Sequence, residues 1–159
     1  MKKLIWKQRL FSSKVEFFEE DQIVGELKEG FLKKEGEGFL NERKIEFVKA
    51  SLFKQDTNVI DSLSGEPIGK VIFNGWRNEA EIRIGDRLLT WKYTDFFNTN
   101  WQILEDGHSI AEYKSSWLKG EIEVKENEEP LILTGFFVHS NFVKILVVMV
   151  VIMIVIFSN

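Results

Sequence analysis

The sequence predicts a mainly β fold, an antiparallel barrel of about twelve strands closed around an apolar C-terminal α-helix. Three observations carry this prediction: short alternating apolar and polar stretches between about 4 and 134, a weak internal repeat, and a strongly apolar C-terminal segment. Alternation with a period of two is typical of strands that bury one face. A chain of 159 residues, 44% of them hydrophobic, suffices for one packed core. We expect one domain over residues 1–159, with strands in 1–134 and a hydrophobic helix in 136–157.

Three pairs of alternating segments are predicted to form hairpins. Residues 80–84 and 89–93 flank Gly85-Asp86, and residues 101–103 and 110–113 flank Asp106-Gly107. Glycine in such pairs supplies the positive φ that a tight hairpin turn requires. In the third pair, residues 121–125 and 131–133 flank a polar turn over 126–129.

The repeat consists of an aliphatic residue followed, seven or eight positions later, by an aromatic one, at successive offsets of 44 and 42 residues. Its three copies are marked by Val24 and Phe31, Ile68 and Trp76, and Ile110 and Trp117. A unit of about four strands occurring three times gives about twelve strands. An open sheet of that size leaves edges that invite aggregation, so closure into a barrel is expected. A barrel much wider than eight strands encloses a cavity that must be filled.

The C-terminal segment offers a filler, because residues 145–157 are thirteen consecutive apolar residues. A helix that is apolar on every side is expected to be buried, either in a protein core or in a bilayer. Thirteen helical residues span about 20 Å, whereas the hydrocarbon core of a membrane is about 30 Å thick. We therefore favour residues 145–157 inside the barrel, with the polar residues 139–144 at its mouth, and keep a membrane anchor as the alternative.

The first fifteen residues carry five basic side chains and no acidic one, although the net charge of the chain is −4. An acidic protein is a poor nucleic-acid binder, so no nucleic-acid partner is expected. A basic arm with interleaved aromatic residues is suited to contact an anionic membrane surface. The candidate contact residues are Lys2, Lys3, Trp6, Lys7, Arg9 and Lys14. The alternative is a first strand whose lysines are simply solvated. Because the arm lacks the apolar stretch of a secretory signal, we expect the chain to be cytoplasmic, at most peripheral to a membrane unless the C-terminal helix anchors it.

No recognisable catalytic, metal or cofactor motif is present, so we expect a protein that is not an enzyme and holds no cofactor. The absence of cysteine excludes disulfides and thiolate metal sites. His108 and His139 have no ligand spacing around them and are expected to be structural. The tryptophans lie in or near predicted strands, so we expect them to pack in the core. They are Trp6, Trp76, Trp91, Trp101 and Trp117.

Residues 59–71 combine an aspartate and glycine turn with the step Ile68-Gly69-Lys70, and residues 103–113 echo this pattern. With the apolar C-terminus, these features resemble the tubby C-terminal and LURP-one-like superfamily, which also includes phospholipid scramblases. The resemblance implies a twelve-stranded barrel around a hydrophobic C-terminal helix. It also implies an intracellular, non-enzymatic module for phospholipid headgroups or a membrane surface, although no residue of a phosphoinositide pocket carries over. The alternative is a membrane protein with a single C-terminal transmembrane helix that displays a cytoplasmic β domain.

Overall fold

A computed structural model describes residues 1–30, 34–51, 56–126 and 128–158. Twelve antiparallel strands form a closed barrel, and a single helix follows them. The elements are β1 (Lys2–Gln8), β2 (Lys14–Glu19), β3 (Gln22–Glu29), β4 (Lys34–Leu40), β5 (Arg43–Lys49), β6 (Thr57–Asp61), β7 (Pro67–Asn74), β8 (Glu79–Ile84), β9 (Arg87–Tyr93), β10 (Asn100–Glu105), β11 (His108–Ser116), β12 (Lys119–Val124) and α1 (Glu129–Phe157).

Each strand pairs with its sequence neighbours, and β1 closes the barrel on β12 with Leu4 opposite Ile122. Side chains alternate between the two faces, so that Leu89 and Trp91 of β9 are buried while Thr90 between them is exposed. The predicted barrel and the hairpins β8–β9 and β10–β11 are confirmed.

The three aliphatic residues of the repeat lie four strands apart, as a four-strand unit requires. Val24 lies in β3, Ile68 in β7 and Ile110 in β11. Phe31, the aromatic residue of the first copy, lies outside the described residues.

The first half of α1 fills the barrel. Residues 131–138 and Phe142 are buried, with Phe137 stacked on Phe47 at 4.0 Å and Phe136 packed edge-on against Trp6 at 5.0 Å. Two wall side chains also bond the helix backbone: Trp91 Nε1 donates to the carbonyl of Gly135 at 2.9 Å, and the Tyr113 hydroxyl to that of Ile132 at 3.1 Å. These directed bonds fix the rotation and height of the helix within the barrel.

The structure corrects the predicted start of the helix. The last strand ends at Val124 and α1 begins at Glu129, so residues 131–133 are helical and the third predicted hairpin is wrong. Pro130 lies in the first turn, where its fixed φ favours a helix and its missing N–H is not needed. The apolar run 131–133 is too short for its periodicity to distinguish a strand from a buried helix.

The predicted interior position of residues 145–157 is also wrong. Strands of five to nine residues, tilted by about 40°, give a barrel roughly 20 Å high, which accommodates about 12 helical residues. Because α1 has 29 residues, about 43 Å at 1.5 Å each, more than half of it must lie outside. Residues 131–142 occupy the interior, and the most apolar part of the chain extends beyond it.

The two ends of the barrel differ in how α1 meets them. At the entry end lie the turns β2–β3, β4–β5, β6–β7, β8–β9 and β10–β11 and the start of α1, where Asn41 Nδ2 donates to Glu129 Oε1 at 3.1 Å. At the exit end lie the connections β1–β2, β3–β4, β5–β6, β7–β8, β9–β10 and β11–β12. The helix emerges there, and Lys144 Nζ lies 3.1 Å from Glu29 Oε2 at the end of β3.

Candidate membrane-contact site

The helix leaves the barrel between His139 and Lys144. His139 is held at the mouth by stacking on Trp101 at 3.8 Å and by a hydrogen bond between its Nδ1 and the Tyr93 hydroxyl at 3.1 Å. One turn further on, the ion pair of Lys144 with Glu29 ties the helix to the rim. These contacts divide α1 into an inner part, which ends at Phe142, and a protruding segment, residues 143–157.

The protruding segment is apolar beyond Lys144 and is exposed on every side from Leu146 onward. Residues 146–157 are twelve consecutive exposed positions, more than three helical turns, so every face of the helix is represented. Their exposed fractions range from 42% at Val150 to 84% at Phe157. The most apolar 18-residue window of α1 is only 6% buried, and by length and composition α1 is the one helix of the described residues that could cross a membrane.

Aromatic side chains surround the point where the helix emerges. Connections at the exit end carry five of them with large exposed surfaces, which together we name the aromatic rim: Phe11, Trp76, Phe96, Phe97 and Trp117. Phe96 and Phe97 meet edge to face at 5.5 Å, with little other cover. Exposed aromatic residues at one end of a barrel indicate a contact surface, since large exposed apolar patches on soluble proteins mark interaction sites.

Two rim residues adopt a backbone conformation that aromatic residues rarely take. Phe11 has φ of 62° and Trp117 has φ of 61°, in the left-handed region. A bulky side chain there costs roughly 1–2 kcal/mol relative to glycine or asparagine. Asn78 and Asn98, also in exit-end connections, show the usual choice at φ of 51° and 57°. Phe11 and Trp117 are therefore unfavourable for folding, and such strain clusters at functional sites.

The turns at the entry end have a different composition. Most are tipped with acidic residues, and Leu63 is an exposed apolar exception. The acidic residues of the described entry-end turns are Glu20, Asp21, Glu42, Glu66, Asp86, Asp106, Glu126 and Glu128. The molecule is thus polarised along the barrel axis, with an acidic entry end and an aromatic exit end.

A cleft of about 560 Å³ lies at the exit end, where the protruding segment passes the rim. Its lining is mixed on both sides: the helix contributes Val143, Val147 and Val148 beside His139, Ser140 and Lys144, and the barrel contributes Gln8, Glu29, Trp117 and Leu118 among others. Lys144 is partly exposed there and pairs with Glu29, which also lines the cleft, so the cleft joins an apolar surface to an ion pair.

The structure separates the six predicted membrane-contact residues. Lys2 and Lys3 lie near the entry end and pair with Glu19 at 3.0 Å and Glu121 at 2.9 Å. Trp6 is buried against the inner helix, and its Nε1 donates to the Lys114 carbonyl at 3.2 Å.

The other three lie at the exit end. Lys7 covers the ring of Phe18 at 4.6 Å, Arg9 is exposed, and Lys14 pairs with Glu26 at 2.9 Å. The six therefore do not share one face.

The predicted core tryptophans and structural histidines also divide. Trp6, Trp91 and Trp101 are buried as expected, whereas the prediction is wrong for Trp76 and Trp117, which are exposed. His139 packs at the barrel mouth, and His108 lies exposed at the start of β11 with its Nδ1 3.0 Å from the Asp106 carbonyl oxygen. Among the described residues, no cluster of three or more acidic, histidine or cysteine side chains is arranged to hold a metal ion.

Comparison with protein-family models, curated proteins and solved structures finds no match for this chain. Membership of the tubby C-terminal and LURP-one-like superfamily therefore stays a prediction. The function has to be inferred from the geometry of the exit end.

Proposed function

We propose that this protein is a non-enzymatic, membrane-anchored module that holds its barrel at a bilayer surface by inserting the protruding segment. The observation that carries the proposal is the exposure of residues 146–157 on all faces of a helix that continues directly from the barrel core. Apolar residues in a membrane helix contribute about −0.3 to −0.6 kcal/mol each, so thirteen give roughly −4 to −8 kcal/mol. The barrel would be displayed in the cytoplasm.

Charge in the protruding segment should abolish anchoring. An aspartate at the centre of a membrane helix costs about 2.5–3.5 kcal/mol, so two offset most of the insertion energy. Val150→Asp combined with Val151→Asp should move the full chain from the alkaline-carbonate pellet to the soluble fraction. Both positions are exposed, so the barrel should remain folded.

A matched control adds the same charge at the entry end, with Leu63→Asp and Ile23→Asp. Both side chains are exposed and lie far from the emerging helix. This variant should stay in the pellet. Extraction of the unmodified chain by carbonate, or retention of the Val150→Asp and Val151→Asp variant in the membrane, would contradict the proposal.

A second candidate function, binding of a phospholipid headgroup, is favoured by the cleft beside Lys144. Its apolar helix residues would contact an acyl chain while the Lys144 ammonium group exchanged the Glu29 carboxylate for a phosphate. Two of the five tryptophans, Trp6 and Trp117, line the cleft, so detergent-solubilised protein titrated with short-chain phosphatidylserine should show a saturable change in tryptophan fluorescence. Lys144→Gln should weaken that response, and an equal response to phosphatidylcholine would argue against a headgroup site.

A further inference from the structure

We infer that the aromatic rim rests in the interfacial layer of the same bilayer that receives the helix, so that the barrel stands upright with its acidic end in water. The inference rests on the proposed function and adds a second contact and a fixed orientation to it. A single helix alone would leave the barrel free to tilt.

The aromatic rim and the protruding segment lie at the same end of the barrel. The rim side chains come from the connections β1–β2, β7–β8, β9–β10 and β11–β12, which follow one another around most of the barrel mouth. The protruding segment leaves the same mouth, and Trp117 and Val147 line one cleft. A membrane that surrounds the helix beyond Val147 therefore meets the rim, and the occupant of the rim follows from its continuity with the anchor.

The protruding segment is shorter than the hydrocarbon core of a membrane is thick. Residues 143–157 span about 22 Å of helix, less than the hydrocarbon thickness of about 30 Å. A short apolar segment is accommodated by drawing its flanking residues toward the membrane or by thinning the bilayer. The flanking surface is the aromatic rim, and phenylalanine and tryptophan partition well into the membrane and its interface.

The charged residues differ between the exit end and the entry end of the barrel. Arg9 and Arg77 are exposed beside Phe11 and Trp76, and a cation near an anionic membrane surface contributes about 1 kcal/mol. The carboxylate of the rim, Asp95, accepts hydrogen bonds from Thr99 and the Asn100 backbone N–H within its own loop. The acidic entry end, in contrast, is repelled by anionic lipid, so both ends favour the same orientation.

The backbone strain at Phe11 and Trp117 also favours contact of the rim with an apolar surface. Neither side chain is covered by the barrel, at 99% and 85% exposure, so folding does not explain why aromatic residues occupy left-handed positions. Contact with an apolar interface does explain it, because each ring is thereby directed away from the barrel.

Site-specific labelling tests the orientation directly, since the chain has no cysteine. Trp76→Cys and Phe97→Cys place a fluorescent label on the rim, and Leu63→Cys places a matched label on an exposed apolar site at the entry end. Full-length protein is reconstituted into vesicles of phosphatidylcholine with a fraction of phosphatidylserine. Quenching is then measured with aqueous iodide and with lipids that carry a nitroxide near the headgroup.

We expect iodide to quench the rim labels severalfold less than the Leu63→Cys label, and the lipid nitroxide to show the opposite order. If the vesicles float with the protein but all labels respond alike, the upright orientation is refuted while the anchor stands. If the protein does not float with vesicles, the proposed function itself fails. Shielding of the rim labels that disappears when the protein is diluted in excess lipid would identify a second copy of the chain as the occupant and would overturn the inference.

Discussion

Replacing Gly135 with alanine tests whether the inner helix is fitted to the barrel wall. A methyl group at this position would overlap the Tyr113 hydroxyl and would lie 2.7 Å from Cδ1 of Ile103. Both neighbours are fully buried and have little room to move. The substitution should therefore displace Tyr113 and break its hydrogen bond to the Ile132 carbonyl.

The expected loss of stability follows from these contacts. Overpacking a core costs about 1–3 kcal/mol, and a buried hydroxyl left without a partner costs about 1–3 kcal/mol more. Alanine is favoured over glycine in a helix by about 1 kcal/mol, which leaves a net loss near 3 kcal/mol. For a chain of this size that corresponds to a fall in Tm of roughly 6–12 °C, measurable by near-UV circular dichroism in detergent micelles.

The sign of the effect discriminates between two explanations of the helix. Intrinsic propensity alone predicts that Gly135→Ala stabilises the protein, whereas the tight fit predicts destabilisation. In a Tyr113→Phe background the overlap with the hydroxyl is absent, so the same change should cost about 1–2 kcal/mol less. Gly75→Ala, at a glycine with open space around it, should be neutral. A neutral or stabilising Gly135→Ala would refute the described packing.

Three further predictions follow. Hydrogen bonds from Arg87 hold the pKa of the Glu105 carboxyl below its usual value. The pKa of Glu105 is lower in the folded state than in the unfolded state, so its pairing with Arg87 stabilises the fold above about pH 5. This stabilisation is lost as pH falls through the folded-state pKa. Arg87→Gln should therefore flatten the dependence of Tm on pH between about pH 6 and pH 3, and an unchanged profile would argue against the pair. Trp117→Asn should stabilise the fold by about 1 kcal/mol, because it replaces a tryptophan held in the left-handed region. The measurement is a rise in Tm in detergent, and a fall in Tm would contradict strain at this position. Phe137→Ala should cost about 3–5 kcal/mol in chemical denaturation, whereas Phe97→Ala, at an exposed position, should cost less than about 0.5.

The barrel was predictable because its signals are local. Each strand shows its alternation within five to nine residues, and pairs such as Gly85-Asp86 specify their turns without reference to the rest of the chain. Closure then follows from the number of strands. The start of α1 was not predictable in this way, because Pro130 and the run 131–133 are compatible with more than one structure.

The position of the helix depends on the height of the barrel, which the amino-acid composition does not specify. The choice between interior and membrane was posed for residues 145–157 as a whole, but strand length limits the interior to about 12 helical residues. The residues at the centre of the interior are marked by size instead, since Thr134 and Gly135 let the helix approach the wall. The barrel interior therefore holds residues 131–142, which fit it, and not the more apolar residues 145–157.

The aromatic rim left a partial signal. Trp76 and Trp117 close the copies of the repeat and fall where the strand alternation ends, which places them in connections and not on inward faces. Their assignment to the core followed from the usual preference of tryptophan. For Phe11, Phe96 and Phe97 the sequence carries no repeat, and their common location emerges only when the strands are closed into a barrel.

The continuity of α1 makes the barrel and the protruding segment a single mechanical unit. At the entry end Arg87 bonds Glu105, Glu126 and Glu128 and so ties the start of the helix to β9 and β10. Inside, Trp91 and Tyr113 hold its carbonyl groups, and at the exit end Lys144 holds Glu29. Sliding the helix by one turn would break its contacts with Arg87, Trp91, Tyr113 and Glu29 at once and would force Phe136 and Phe137 out of their ring contacts. Under the proposed anchoring, the depth of the protruding segment in a bilayer would therefore set the height of the barrel above it and bring the rim to the interface.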